Sequence, residues 1–207
     1  NVEVCENLCR AAEATGITPL VRVQNLDPST IARYLDVGVQ GIQVPNIASK
    51  EEALRAVRST KYFPEGSRTV AAARAADYGT TRPIRQYAED ANRELMVIAM
   101  IEDVQGVRNL EEIMSVDGID VICVGPYDLA HSMGLPDQDH PELRAILERV
   151  SSLVCQSGKA LGVPGDNLET ARHSLNQGAL YVAASVEKLW VAGAREFLAR
   201  LHGEKSR

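Results

Sequence analysis

The sequence predicts a parallel α/β fold of the (β/α)8 TIM-barrel type. Three observations carry that expectation. Six short apolar runs recur along the 207 residues, and most read as continuous apolar segments without alternation, as strands buried on both faces do. Helix-start signals stand between them, so strand and helix follow one another repeatedly. Polar residues (Arg22, Gln24, Glu102, Asp103 and Asp128) gather where the runs end, and a barrel places its chemistry at the C-terminal ends of its strands. A doubly wound dinucleotide fold lacks its central feature here, because no G-x-G-x-x-G follows a strand.

Taken in order, the chain opens on an amphipathic segment, Val2 to Ala14, that reads as a helix without its preceding strand. The first run is Thr18–Val23. Asp27-Pro28 then supplies a capping side chain and a proline for the first helical position, with Ile31, Tyr34 and Leu35 at helical spacing. Gly41–Pro45 is the second run. Ser49-x-x-Glu52 is a capping box ahead of Leu54 and Val57. The stretch from Tyr62 to Arg85 has no clear period and contains Pro64-Glu65-Gly66, Gly79 and Pro83, so a functional lid is expected there. Leu95–Ile101 and Val121–Val124 are the next runs. His140-Pro141-Glu142 opens a helix with Leu143, Ile146, Leu147 and Val150 on one face, and Ala160–Val163 follows. Asp166 or Asn167 can cap a further helix before the last run, Ala179–Ala184. Six strands are two short of eight, so the reading is one barrel domain over 1–207, N-terminally incomplete, with its first two strands absent from the chain.

Composition narrows the partners. Hydrophobic residues make up 45% and the formal net charge is -6. An acidic surface disfavours nucleic acid. No apolar run approaches the ~20 residues that span a bilayer, so no membrane partner is expected. Cys5, Cys9, Cys123 and Cys155 form no C-x-x-C pair or disulfide framework, and Cys123 sits in an apolar run as an inert thiol would; a reduced, cytoplasmic protein is the expectation.

Two carboxylates are the strongest chemical signal. Glu102 ends one run and Asp128 follows the next, in Val124-Gly125-Pro126-Tyr127-Asp128, so both fall at C-terminal ends of adjacent strands. Two carboxylates with open positions suit Mg²⁺ or Mn²⁺; alternatively each caps a helix or pairs with an arginine. Arg22 stands in the apolar strand Leu20-Val21-Arg22-Val23, as a structural ion pair or as a guanidinium aimed at a substrate carboxylate or oxyanion. The lysines (Lys50, Lys61, Lys159, Lys188 and Lys205) fall at helix starts, in a loop, ahead of a strand or in the tail, which argues against a Schiff base. Of His131, His140, His173 and His202, only His131 stands near the carboxylates, and no Ser-His-Asp or Cys-His pattern is present.

At these residues the chain resembles the HpcH/HpaI aldolase family, the class II, metal-dependent pyruvate aldolases. The matching segments include Pro19-Leu20-Val21-Arg22-Val23, Leu35-Asp36-Val37-Gly38, Val44-Pro45, Gly66-Ser67-Arg68, Met100-Ile101-Glu102 and Gly125-Pro126-Tyr127-Asp128-Leu129. The resemblance spans essentially the whole chain. It implies a (β/α)8 barrel, often hexameric, with a final helix exchanged between paired subunits. It implies Mg²⁺, Mn²⁺ or Co²⁺ on Glu102 and Asp128, Arg22 on the keto oxygen, and backbone around Pro126 and Tyr127 receiving the pyruvate carboxylate. The substrates so implied are a 2-keto acid and an aldehyde. Two departures stand out. The family's acidic residue and proton-transferring histidine fall before Asn1, so the base, expected upstream, cannot be named, and Met100 stands where several members carry glutamine. The rivals are a lyase acting on CoA thioesters and a non-catalytic barrel subunit.

Overall fold

The computed structural model describes residues 1–165 and 167–203. In chain order its elements are α1 (Val2–Thr15), β1 (Val21–Arg22), α2 (Pro28–Asp36), β2 (Gly41–Val44), α3 (Lys50–Thr60), α4 (Ile84–Glu94), β3 (Met96–Ile101), α5 (Val104–Arg108), α6 (Leu110–Met114), β4 (Val121–Val124), α7 (Pro126–Ser132), α8 (Pro141–Gln156), β5 (Ala160–Pro164), α9 (Leu168–Asn176), β6 (Tyr181–Ala183) and α10 (Val186–Leu201). The helix starts follow the capping chemistry. Asp27 accepts from Thr30 N, Ser49 from Glu52 N, His140 from Glu142 N, and Asn167 forms a reciprocal capping box with Thr170. Asp166, the alternative cap, lies outside the described residues, as does Lys205.

All six strands are parallel and lie side by side in chain order, β1 to β6. The expected closed (β/α)8 barrel is not what forms. A barrel closes when its last strand hydrogen-bonds to its first. Among the described residues β1 pairs only with β2 and β6 only with β5, so the sheet is open at both edges. It is nevertheless strongly curled. Tyr181 on β6 donates its hydroxyl to Gln43 Oε1 on β2 at 3.2 Å, four strands away. At ~4.8 Å per strand a flat sheet would hold those strands ~19 Å apart, beyond the reach of the two side chains. The architecture is therefore a six-stranded parallel half-barrel with helices.

Alternation along the strands splits the apolar side chains between two faces. The convex face packs against the helices as one large core that includes Ile42, Val44, Val97, Ala99, Ile101, Ile122, Val124 and Leu161. The concave face carries a smaller cluster of Ile98, Val121 and Cys123, flanked by Leu20, Met96, Met100, Ala160 and Tyr181. Burial on both faces is why the strand sequences do not alternate.

The segment expected to be a lid sits elsewhere. Lys61 donates through Nζ to the carbonyls of Asn92 and Leu95, which lead into β3, and Tyr62 N donates to Asn92 Oδ1. Arg68 is buried, pairs with Asp36 at 2.7 Å and lies over the Tyr62 ring. Arg74 donates to the carbonyl of Val37, which leads into β2. These anchors tie the segment to the N-terminal ends of β2 and β3, opposite Glu102. Pro64, Gly66 and Gly79 mark the turns of an anchored loop.

Among the described residues, no helix is long and apolar enough to cross a membrane.

Candidate active site

Glu102 follows the last residue of β3, and its side chain is 3% exposed. One oxygen is held: Asn46 N–H donates to Oε1 at 2.9 Å. Asn46 adopts φ 54, in the left-handed region that asparagine tolerates better than most residues. The turn after β2 is thus bent so that a backbone amide meets this carboxylate, and such local strain gathers at functional positions. The other oxygen, Oε2, is buried without a partner among the described residues. A partnerless carboxylate oxygen is costly to bury unless a cation or donor comes to it.

Gly125 completes the cradle. A Cβ at that position would lie 2.8 Å from Glu102 Oε2 and 2.9 Å from Glu102 Cβ. Gly125 caps α7 without a side-chain acceptor, Pro126 takes the first helical position, and Asp128 stands exposed in the first turn. The structure therefore brings Glu102 against the residue three before Asp128, and the two carboxylates share the C-terminal end of β3 and β4. Tyr127 is half exposed, with Lys188 from the start of α10 over its ring at 5.0 Å.

Arg22 ends β1 on the same side of the sheet. It is exposed, and among the described residues its guanidinium has no ion-pair or hydrogen-bond partner. The structural ion pair considered for it does not form. Cys123 reports the electrostatics between these groups. Burial pushes its thiol up to about 11, Glu102 adds to the rise, and Arg22 opposes it. The thiol stays protonated and inert, as its apolar strand suggested.

Other polar residues take structural duties. Asp103 caps α5 through Gly106 N, at 2.6 Å. Lys61 and Lys159 each place Nζ on two backbone carbonyls. His140 caps α8, His202 ends α10, and His131 and His173 are exposed on α7 and α9. Among the described residues no cluster of three or more His, Cys, Asp or Glu forms a ready metal cage. A cation here would rest on two carboxylates and take its remaining oxygens from water or substrate, a coordination that Mg²⁺ and its relatives favour.

Chain contacts that the sequence did not announce matter as much. Asn46 directly follows the run Gly41–Pro45 and had no role in the sequence reading. Gln43 lies on the concave face beside Arg22, its Cα partner across the β1–β2 ladder. Nothing local marks Gln43 as paired with Tyr181, 138 residues away.

The chain is similar to known proteins in sequence and in fold. Residues 3–193 match the family model described as HpcH/HpaI aldolase/citrate lyase. The chain is 38% identical over 189 residues to the 4-hydroxy-2-oxo-heptane-1,7-dioate aldolase of Shigella flexneri, covering 91% of this chain and 70% of that protein. An Escherichia coli aldolase of the same name is also 38% identical, over 91% of this chain and 72% of its own length. Among solved structures, an HpcH/HpaI aldolase/citrate lyase family protein from Burkholderia cenocepacia J2315 superposes with TM-score 0.90 at 30% identity, over 98% of this chain and 81% of that one. The citrate synthase SbnG superposes with TM-score 0.85 at 29% identity, over 98% and 79%.

Proposed function

The chain belongs to the HpcH/HpaI aldolase/citrate lyase family, an enzyme family, and from that premise we propose a divalent-metal-dependent aldolase that cleaves or forms 4-hydroxy-2-keto acids. The observation that carries the reading is Glu102: a buried carboxylate with one oxygen fixed by Asn46 N–H and the other left open against Gly125. Glu102 and Asp128 would hold the cation, Mg²⁺, Mn²⁺ or Co²⁺, which when bound supplies positive charge to the carboxylate and ketone oxygens of a pyruvate unit.

The chain's own residues do the rest. Arg22 offers an unpaired guanidinium at the same strand ends, where it donates to the keto oxygen as negative charge gathers there. In the cleavage direction the C4 hydroxyl gives its proton to solvent, C4 leaves as an aldehyde as the C3–C4 bond breaks, the bond's electron pair moves into the C2 carbonyl system, and C3 takes a proton back from solvent to give the 2-keto acid. Backbone around Pro126 and Tyr127 receives the substrate carboxylate. The concave floor with Ile98, Met100 and Val121 offers an apolar surface below these strand ends. Lysine chemistry is not needed. Lys61 and Lys159 are engaged with backbone carbonyls, and Lys50 is exposed at the start of α3.

The likeness to a citrate synthase favours a second reading, in which the site forms the enolate of an acetyl thioester and adds it to the ketone carbon of a keto acid. One experiment separates them: incubate the protein with pyruvate and a panel of aldehydes, and in parallel with oxaloacetate and an acetyl thioester, with and without chelator, and identify products by mass. Chelator-sensitive 4-hydroxy-2-keto acids support the aldolase. Citrate from oxaloacetate and the acetyl thioester, with free thiol released and no aldol product from any aldehyde, replaces it with the second reading.

A further inference from the structure

The concave face carries a polar layer that the aldolase reading has not used. Gln43 from β2, Cys123 from β4 and Tyr181 from β6 meet across the half-barrel. Gln43 stands level with Arg22 and Ile98, and Cys123 and Tyr181 stand level with Met100, two residues short of Glu102. Cys123 is the Cα partner of Met100, two residues before Glu102, and Gln43 is the Cα partner of Arg22. Partners in a parallel ladder project to the same face, so the Gln43 amide and the Arg22 guanidinium rise from adjacent positions.

The amide is oriented. Its Oε1 accepts from Tyr181 O–H at 3.2 Å, which turns Nε2 toward Cys123 Sγ at 3.9 Å. Sulfur is a weak acceptor and can take one N–H. The second N–H of Gln43 has no partner among the described residues. Gln43 is half-buried on the concave face, so this oriented N–H is open to an acceptor that enters beside Arg22.

We propose that Gln43 is a substrate-contacting residue whose Nε2 donates to an oxygen of the 2-keto acid, with Tyr181 as the positioning residue that holds the amide in that orientation. The proposal rests on the reading of the site as one for 2-keto acids. It adds a neutral donor beside the Arg22 guanidinium, so the acid is gripped from the side of β1 and β2 as well as at Glu102. The competing account is a structural tie, in which the Gln43–Tyr181 bond only fastens β6 to β2 and preserves the curl.

The test compares wild type, Gln43→Met, Gln43→Glu and Tyr181→Phe, all loaded with Mn²⁺. For each, pyruvate affinity is measured by calorimetric titration, pyruvate methyl proton exchange is followed for KM and kcat, and Tm is recorded. Methionine keeps the length and removes the donor. A lost hydrogen bond to a charged group corresponds to roughly a tenfold to hundredfold loss of affinity. We expect Gln43→Met to raise the pyruvate Kd and KM by about that factor with a smaller change in kcat, and Tyr181→Phe to shift both in the same direction by less. Gln43→Glu keeps the Tyr181 bond but opposes the substrate carboxylate, so pyruvate binding should be lost. Pyruvate affinity within twofold of wild type in folded Gln43→Met or Gln43→Glu, whatever the Tm, overturns the proposal in favour of the tie. Wild type that binds no pyruvate at all overturns the keto-acid reading itself, and this proposal with it.

Discussion

Replacing Gly125 by alanine isolates the geometry of the Glu102 cradle. Gly125 has φ -100 and ψ 90, a conformation open to any residue, so no backbone strain accompanies the change. The added Cβ would meet Glu102 Oε2 at 2.8 Å and Glu102 Cβ at 2.9 Å. Carbon contacts relax to ~3.5–4.0 Å, so Glu102 or the start of α7 must retreat by roughly 1 Å. Overpacking of this kind costs about 1–3 kcal/mol, which for a chain of this size lowers Tm by roughly 2–12 °C. The chemical effect should be larger. A misplacement of ~1 Å at a reacting centre costs about 10²-fold in rate, and Mn²⁺ should bind more weakly because the displaced carboxylate is one of the two ligands proposed for it. The assay is kcat/KM for aldol cleavage and Mn²⁺ affinity, with Tm on the same preparations. Gly134→Ala is the control. Gly134 has φ +70 and open space where its Cβ would go, so alanine there costs about 1–2 kcal/mol of strain and leaves kinetics unchanged. Wild-type kcat/KM and Mn²⁺ affinity in folded Gly125→Ala would refute the cradle.

Three further outcomes are expected. Arg22→Ala should fold with a Tm near wild type, because no partner among the described residues is lost, while kcat falls about 10²–10³-fold and Arg22→Lys recovers only part; a large Tm loss with near-normal kcat would make Arg22 structural. Borohydride added with pyruvate should leave the protein's mass unchanged, and a trapped adduct on any lysine would contradict the mechanism. Asp27, held down to about 2 by the hydroxyl of Ser29 and by Thr30, has its folded value below the unfolded one. Its charge therefore stabilises the fold fully above pH ~4, and that contribution fades as pH falls toward ~2. Wild type should out-melt Asp27→Asn near neutral pH and lose that margin in acid, and a margin independent of pH would show that the charge contributes nothing.

What the sequence revealed was local. The six strands were legible because burial on both faces leaves continuous apolar runs, as in Val121–Val124. Asp27, Ser49, His140 and Asn167 announced their helices because a cap acts within three residues of itself. Glu102 was legible as a carboxylate ending an apolar strand. Closure was not legible, because pairing between the first and last strands leaves no mark within either, and the sheet stands open. The lid was misread for a similar reason: Arg68 and Arg74 look like solvent-facing loop residues until Asp36 and Val37, more than thirty residues earlier, are seen to receive them. The bond from Asn46 to Glu102 crosses 56 residues and depends on one left-handed backbone angle that no periodicity encodes.

The central claim is that Glu102 and Asp128 jointly hold a divalent cation on which the chemistry depends. The most direct measurement is Mn²⁺ binding, by calorimetry or paramagnetic resonance, to metal-stripped wild type, Glu102→Gln and Asp128→Asn, with aldol cleavage assayed on each. The account predicts that wild type binds Mn²⁺ and regains activity, and that each variant keeps its fold, binds the metal much more weakly and stays inactive. Wild-type Mn²⁺ affinity in both variants, or full activity in the metal-stripped protein, would contradict it.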